Sequence, residues 1–237
     1  MKPTNPTDRI FVALDTTDTD RAVSMASSLV GKVGGAKVGK EFFTANGPDG
    51  VRRVSQVGMP VFIDLKWHDI PNTVAGALRA SLPLKPAIVN VHATGGPAMM
   101  QAAASAALEA GDDRPLVLAV TVLTSMDDED LRATGVNGDT TEQVIRLAKL
   151  AQANGIDGVV CSAMEITALR DACGPDFKLL VPGIRPTWAA TGDQKRIMTP
   201  SEAVNKGADY LVIGRPITGA ADPAEAADKI AAELSET

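Results

Sequence analysis

The sequence predicts a single (β/α)8 (TIM) barrel that occupies residues 1–237. Short apolar runs recur along the chain at intervals of roughly 20–40 residues, the spacing that a strand and its crossover helix require. The near-continuous apolar character of these runs is typical of parallel strands that are covered on both faces. Eight such units in 237 residues fit one barrel. A doubly wound open sheet is the structural alternative, but it usually has fewer strands.

The elements follow one another in a regular order. The predicted strands are Ile10–Asp15, Ala36–Gly39, Val61–Lys66, Ala87–His92, Leu116–Val122, Gly158–Cys161, Lys178–Pro182 and Tyr210–Gly214. The clearest helices between and after them are Asp20–Leu29, Ala98–Ala110, Thr141–Asn154 and Pro223–Leu234. The first follows an acidic start, the third begins at a threonine cap and ends at Asn-Gly, and the fourth begins with proline.

Composition excludes several classes of function. The net charge of −6, without any basic tract, argues against nucleic acid or an anionic membrane as the main partner. No stretch approaches the roughly 18 apolar residues of a transmembrane span, and the polar start Met1–Arg9 does not read as a signal segment. Two cysteines are too few for a disulfide framework, so we expect a cytoplasmic protein.

The histidines and cysteines are too few to favour metal or thiol chemistry. Two of each leave little scope for a zinc site or a Cys-His nucleophile. His92 ends the fourth predicted strand, where a hydrogen-bonded structural role is more common than a catalytic one. His68 reads as a solvated loop residue and Cys161 as a small core residue. No metal site is predicted.

Charged residues interrupt the strand pattern at its carboxyl end, where barrels of this class carry their active sites. Side chains alternate along a strand, so parity assigns each residue to a face. In the first strand, alternate residues from Ile10 to Leu14 face the helices, which leaves Phe11, Ala13 and Asp15 on the inward face. Asp15 is therefore expected at the top of the barrel interior.

The next two strands add charges with the same parity. Lys37 points inward from the second strand, and Asp64 and Lys66 point inward from the third. With Asp69 from the following loop and Asp15, three carboxylates and two lysines are expected to converge. A solvated salt-bridge cluster is the alternative. Because charges are costly to assemble in an interior, a functional cluster is the favoured interpretation.

Two late segments predict an anion site. Val181-Pro-Gly-Ile-Arg-Pro follows the seventh strand, and Ile213-Gly-Arg-Pro-Ile follows the eighth. Barrels commonly bind phosphate with the loops after these two strands, and arginine adds bidentate hydrogen bonds. Between the two segments, Thr187–Gln194 is small and polar, as suits a mobile lid.

The ten residues Asp64-Leu-Lys-Trp-His-Asp-Ile-Pro-Asn-Thr resemble the signature of the orotidine 5′-phosphate decarboxylases, most closely that of the bacterial branch. The other motifs occur in the matching order: Ala13-Leu-Asp, Lys37-Val-Gly, Val89-Asn-Val-His-Ala, Thr121-Val-Leu-Thr-Ser-Met, Val181-Pro-Gly-Ile-Arg-Pro, Gln194-Lys-Arg and Ile213-Gly-Arg-Pro-Ile. The resemblance spans Arg9 to about Gly219, and no motif position departs from it.

The resemblance implies decarboxylation of orotidine 5′-phosphate to uridine 5′-phosphate (UMP), the last step of de novo pyrimidine synthesis, without metal or organic cofactor. It implies that Lys66 stabilises the forming carbanion and then protonates it, and that Asp64 lies near the departing carboxylate. Lys37 and Asp69 would complete an alternating charge array. By the same resemblance, Asp69 and Thr73 reach into the partner subunit's site, so the active unit would be a homodimer.

The resemblance also assigns the substrate contacts. Asp15 and Lys37 would hold the ribose hydroxyls, and Thr124 and Gln194 would lie on the pyrimidine or phosphate side. The phosphate itself would be held by Arg185, Gly214 and Arg215.

Two other functions remain as alternatives. A metal-dependent sugar-phosphate decarboxylase, aldolase or epimerase on the same barrel would share the Asp-x-Lys-x-x-Asp core, but Pro71-Asn72-Thr73 and Gln194 fit the nucleotide enzyme better. A non-catalytic nucleotide-binding protein would gain nothing from a lysine held between the carboxylates Asp64 and Asp69. The decarboxylase is therefore the favoured function.

Overall fold

A computed structural model describes residues 3–189 and 198–235, and these form a closed barrel of eight strands. Each strand pairs in parallel with its neighbours in chain order, and β8 closes the barrel against β1. The strands are β1 Ile10–Ala13, β2 Gly35–Gly39, β3 Val61–Trp67, β4 Ile88–His92, β5 Leu116–Val120, β6 Gly158–Val160, β7 Lys178–Pro182 and β8 Tyr210–Ile213. The predicted fold is confirmed, and closure rules out the open sheet.

Helices surround the barrel between successive strands and after β8. They are α1 Thr19–Ser28, α2 Lys40–Ser55, α3 Pro71–Ser81, α4 Gly96–Leu108, α5 Asp128–Ala133, α6 Thr140–Ala153, α7 Ile166–Cys173, α8 Pro200–Asn205, α9 Arg215–Thr218 and α10 Pro223–Ser235. Within residues 3–189 and 198–235, no helix is both long and apolar enough to cross a membrane.

Several predicted boundaries need correction. β1 ends at Ala13, so Asp15 lies in the loop after the strand rather than on it. β3 runs one residue further than predicted, to Trp67. The predicted threonine cap of α6 is wrong, because the Asp139 side chain accepts a hydrogen bond from Glu142 N and caps the helix instead. An aspartate oxygen is a strong acceptor for the unpaired amides of a first helical turn.

The predicted strand parity is confirmed by the two layers of the core. In β1, Ile10 and Val12 pack under the helices, whereas Phe11 and Ala13 belong to the interior of the barrel. The interior cluster comprises Phe11, Ala13, Phe62, Ile88, Leu118, Leu180, Tyr210 and Val212. Its aromatic rings meet edge to face, with Phe11 centred 6.4 Å from Phe62 and 5.7 Å from Tyr210. Because these apolar side chains fill the barrel interior, the polar groups of a site are expected at the carboxyl ends of the strands.

Candidate active site

Four charged side chains of alternating sign meet at the carboxyl ends of β1 to β3. Lys37 Nζ lies 3.0 Å from Asp15 Oδ1 and 3.7 Å from Asp64 Oδ2. Lys66 Nζ lies 2.6 Å from Asp64 Oδ1. The order Asp15, Lys37, Asp64, Lys66 places each lysine against a carboxylate, as the inward parity of these strands predicts.

The register between β3 and β4 shifts where this array begins. Ile63 pairs with Val89, but the next paired residues are Trp67 and Val91, so β3 carries a bulge between them. Within the bulge, Lys66 has a φ of 54°, in the left-handed region that residues with a β-carbon rarely adopt. Bulges beside active sites redirect side chains, and this one directs the Lys66 ammonium to Asp64.

The side chain of Asn90 spans the bulge. Its Nδ2 donates to Asp64 Oδ1 at 2.7 Å, and its Oδ1 accepts from the backbone N–H of Lys66 at 2.7 Å. The residue is fully buried. No role for Asn90 was predicted from the sequence, although strand parity in β4 places Ile88, Asn90 and His92 on the inward face.

The surroundings of Asp64 favour its charged form. Burial alone would raise the pKa of this carboxyl group, but the charges of Lys37 and Lys66 and hydrogen bonds from Lys66 and Asn90 outweigh it. The net result is a pKa below the usual value. The site therefore presents a fixed carboxylate and a fixed ammonium group side by side.

The array forms the charged part of a cavity of about 200 Å³. Lys37, Asp64 and Lys66 line one side. The remaining lining is mostly apolar and comprises Phe62, Val120, Val122, Leu123, Thr124, Val160, Leu180, Pro182 and Val212. An apolar wall opposite fixed charges strengthens their electrostatic effect on anything bound between them.

Both predicted phosphate arginines line a second hollow, of about 310 Å³. Arg185, from the segment after β7, is buried, and Arg215 is the first residue of α9, separated from β8 by Gly214 alone. Trp188 and Ala189 complete one side of the hollow, and Pro216, Gly219 and Ala220 complete the other. Two guanidinium groups on one hollow suit a phosphate-sized anion.

The segment between these arginines is described only in part. The backbone N–H of Arg185 donates to Met198 O at 3.1 Å, and this hydrogen bond connects the chain before the segment to the chain after it. Gln194, assigned to the substrate by resemblance, and most of the predicted lid Thr187–Gln194 lie outside the described residues.

Asp69 and Thr73 lie apart from the charge array of their own chain. The Asp69 carboxylate accepts from the backbone N–H of Ile70 at 2.7 Å. It lines a separate surface hollow with His68, Ile70, Pro71, Thr94 and Gly95, and the Lys66 cavity is lined by other residues. Thr73 is exposed in the first turn of α3. The convergence of three carboxylates in one barrel, expected from the sequence, is therefore incomplete within this chain.

His92 borders the array without joining it. Burial, with the nearby charges of His68, Lys40 and Lys66, lowers its pKa to about 4. Its ring centre lies 5.5 Å from that of His68. The side chain is therefore uncharged near neutral pH.

The carboxylates at the carboxyl ends of the strands do not resemble a metal centre. Among residues 3–189 and 198–235, no group of three His, Cys, Asp or Glu side chains is arranged to hold an ion. Asp15 and Asp64 are both engaged by lysine ammonium groups, and a metal ion between them would face those like charges.

Comparison with known proteins identifies close relatives. Residues 8–230 match the family described as "Orotidine 5'-phosphate decarboxylase / HUMPS family". The orotidine 5′-phosphate decarboxylase of Paramagnetospirillum magneticum is 56% identical over 229 residues, which cover 95% of this chain and 97% of the relative. That of Rhodospirillum rubrum is 57% identical over 230 residues, covering 95% and 93%. The crystal structure of orotidine 5′-phosphate decarboxylase from Lactobacillus acidophilus has a TM-score of 0.83 and 36% identity, covering 99% of both chains.

Proposed function

This chain belongs to the orotidine 5′-phosphate decarboxylase / HUMPS family, and we propose that it converts orotidine 5′-phosphate into UMP and carbon dioxide, with Lys66 as the proton donor. This is the last step of de novo pyrimidine synthesis. The observation that carries the proposal is the alternating array of Asp15, Lys37, Asp64 and Lys66, held against an apolar cavity wall.

The chemistry explains why such an array is useful. Loss of carbon dioxide from ring carbon 6 leaves an electron pair in the plane of the ring, where the π system cannot delocalise it. The protein must then lower the barrier by fixed charge and geometry. The Lys66 ammonium stabilises the developing negative charge and transfers a proton to carbon 6. The neutral amine is recharged by a proton from water.

Asp64 has two roles in this scheme. Its carboxylate holds the Lys66 ammonium at 2.6 Å, and it stands where the substrate carboxylate must approach the lysine. Repulsion between the two carboxylates falls as the substrate group leaves as neutral carbon dioxide, which favours the transition state over the bound substrate.

The proposed substrate contacts combine the two hollows with the assignments that the family resemblance implies. Asp15 and Lys37 hold the ribose hydroxyls, and Thr124 lies beside the pyrimidine ring. Arg185 and Arg215, with the backbone of Gly214, hold the phosphate, and by resemblance alone Gln194 is assigned to the pyrimidine or phosphate side of the substrate. Binding energy from the distant phosphate positions the ring against the charges. Both cysteines, Cys161 and Cys173, are buried free thiols, in keeping with the reducing cytoplasm that we propose as the enzyme's compartment.

The function is tested by adding orotidine 5′-phosphate to the purified protein and following the loss of its ultraviolet absorbance. We expect full activity in excess chelator, because the fixed ammonium of Lys66 replaces a metal. A folded protein that leaves the absorbance unchanged would contradict the proposal. Activity on a sugar phosphate that is abolished by chelator and restored by magnesium would support the metal-dependent alternative.

We also propose that the active unit is a homodimer in which Asp69 and Thr73 complete the partner's site. Asp69 belongs to an open hollow outside its own Lys66 cavity, and Ile70 beside it is an exposed apolar residue. Both features suit a surface that a second copy of the chain covers. A two-fold interface then places each Asp69 against the other subunit's array.

Mixing two inactive variants, Lys66→Ala and Asp69→Ala, tests this arrangement. Half of the dimers are mixed after free exchange, and each mixed dimer has one complete site. About a quarter of the wild-type activity should therefore return, as two-fold symmetry requires. Mixing Lys66→Ala with Asp64→Ala is the matched control, because both residues belong to the same site and no complete site can form. Mixed dimers of the first pair that form and stay inactive would show that each barrel supplies its own Asp69.

A further inference from the structure

The bulge in β3 leaves a gap in the hydrogen bonding between β3 and β4 at the point where the array is built. Between the pairs Ile63–Val89 and Trp67–Val91, the β3 backbone has no regular partner on β4. An unpaired buried N–H is costly. The Asn90 side chain fills this gap, since it accepts from the Lys66 N–H at 2.7 Å.

The amide nitrogen of the same Asn90 side chain contacts the Asp64 carboxylate. Asn90 Nδ2 donates at 2.7 Å to Asp64 Oδ1, the same oxygen that contacts Lys66 Nζ at 2.6 Å. One fully buried side chain thus ties the backbone of the lysine to the carboxylate that holds the lysine's ammonium. The strained φ of 54° at Lys66 persists only if the surroundings enforce it.

We infer that Asn90 is a positioning residue for the reaction: its amide holds the Lys66 backbone and the Asp64 carboxylate in the arrangement that aims the ammonium group. This inference rests on the proposed decarboxylation. Asn90 is not among the residues that line the phosphate hollow, so its loss should slow the chemical step more than it weakens substrate binding.

Two variants of similar size separate the two hydrogen bonds. Asn90→Leu removes both, and we expect kcat to fall by about 10–100-fold, the usual worth of hydrogen bonds to charged groups, with KM within about threefold of wild type. Asn90→Asp keeps the acceptor for the Lys66 N–H but places a second carboxyl group against Asp64. Two such groups share one proton, so the new group is a donor only when protonated.

The pH profile is the decisive measurement. Relative to wild type, the kcat of Asn90→Asp should rise severalfold as the pH falls from 8 to 5, while the ratio for Asn90→Leu stays flat. The titratable groups around the amide are Asp64 and Lys66 on β3, Lys37 on β2 and His92 on its own strand. On the other side, β5 is apolar throughout. Because the lysines, His92 and, in the proposed dimer, the partner's Asp69 are common to wild type and variant, the ratio reports the titration of the new carboxyl group together with Asp64, the group with which it shares a proton.

Thr121→Val is the matched control. Thr121 is buried just after β5, and its hydroxyl donates to Val160 O at 3.4 Å, on the side away from β3. Losing it should leave kcat within about twofold and the pH profile parallel to wild type. Thermal melts establish that each variant is folded under the assay conditions, and if Asn90→Leu does not fold, the profile of Asn90→Asp decides alone.

Two results would overturn the inference: an Asn90→Leu enzyme with kcat within threefold of wild type, or an Asn90→Asp enzyme whose ratio to wild type is independent of pH. Failure of the proposed function looks different, because the wild-type protein itself would not turn over orotidine 5′-phosphate. In that case carboxyl NMR still tests the contact. The pKa of Asp64 should be higher in Asn90→Leu than in wild type, and an unchanged pKa would refute the positioning role.

Discussion

Replacing Lys66 tests the proposed chemistry and the backbone geometry together. Lys66→Ala removes the proton donor, and the decarboxylation rate should fall by at least about a thousandfold, as for other preorganised charges that act in the transition state. The protein should remain folded. Asp64 keeps Lys37 at 3.7 Å and the Asn90 amide at 2.7 Å, so its carboxylate still has a positive charge and a hydrogen-bond donor beside it.

The stability change follows from these remaining partners. Removing the only partner of a buried charge costs about 3–5 kcal/mol, and with two partners left we expect about 1–2 kcal/mol. Alanine also keeps the strain of a φ of 54°, whereas glycine adopts it freely. Lys66→Gly should therefore be equally inactive but more stable than Lys66→Ala by about 0.5–1 kcal/mol.

The two variants are compared by ultraviolet assay and by thermal denaturation. For a chain of this size, about 1 kcal/mol corresponds to a shift in Tm of about 2–4 °C, so the difference between glycine and alanine is measurable. Turnover within tenfold of wild type in either variant would remove Lys66 from the role of proton donor. If the glycine variant is no more stable than the alanine variant, the left-handed backbone at residue 66 does not strain a residue that has a β-carbon.

Three further predictions concern the anion site, acid stability and the barrel itself. Arg215→Ala should raise KM, and free guanidinium should partly restore activity. Arg79→Ala is the control and should show neither effect, because Arg79 pairs with Glu109 on the helical surface. If Arg215→Ala has equal effects on substrates with and without phosphate, the anion site lies elsewhere. The pKa of His92 is lowered from 6.5 to about 4, so the unfolded state binds the extra proton first and the free energy of unfolding should decrease as pH falls through that window. His92→Gln should flatten this dependence in denaturant titrations, and an identical slope would contradict it. Arg170→Met should lower the free energy of unfolding by about 3–5 kcal/mol, while kcat at 25 °C stays unchanged. Asp209 loses its 2.9 Å partner and keeps Lys178 at 4.0 Å, but the carbonyl oxygens of Gly174, Phe177 and Gly207 lose the same guanidinium donor as well.

Local patterns were sufficient for the barrel and for the members of its charge array. Parity along a strand depends only on the alternation of side chains, so the inward positions of Phe11, Ala13 and Lys37 follow from the sequence. The helix ends were less predictable. The choice of Asp139 over a threonine as the cap of α6 depends on which oxygen reaches an unpaired N–H, and neighbouring candidates differ little in the sequence.

The sequence by itself determined the order of strands, the family, and the placement of Arg185 and Arg215 on two consecutive loops that share one hollow. Only the tertiary structure decided how the array is held. The bulge that gives Lys66 its φ of 54° and the bridging position of Asn90 both arise from the register between β3 and β4. The same structure put Asp69 in a hollow away from its own array. Register is a relation between two strands and cannot be read from either strand alone. A lysine has no local preference for a left-handed backbone, so the sequence does not predict the bulge at Lys66.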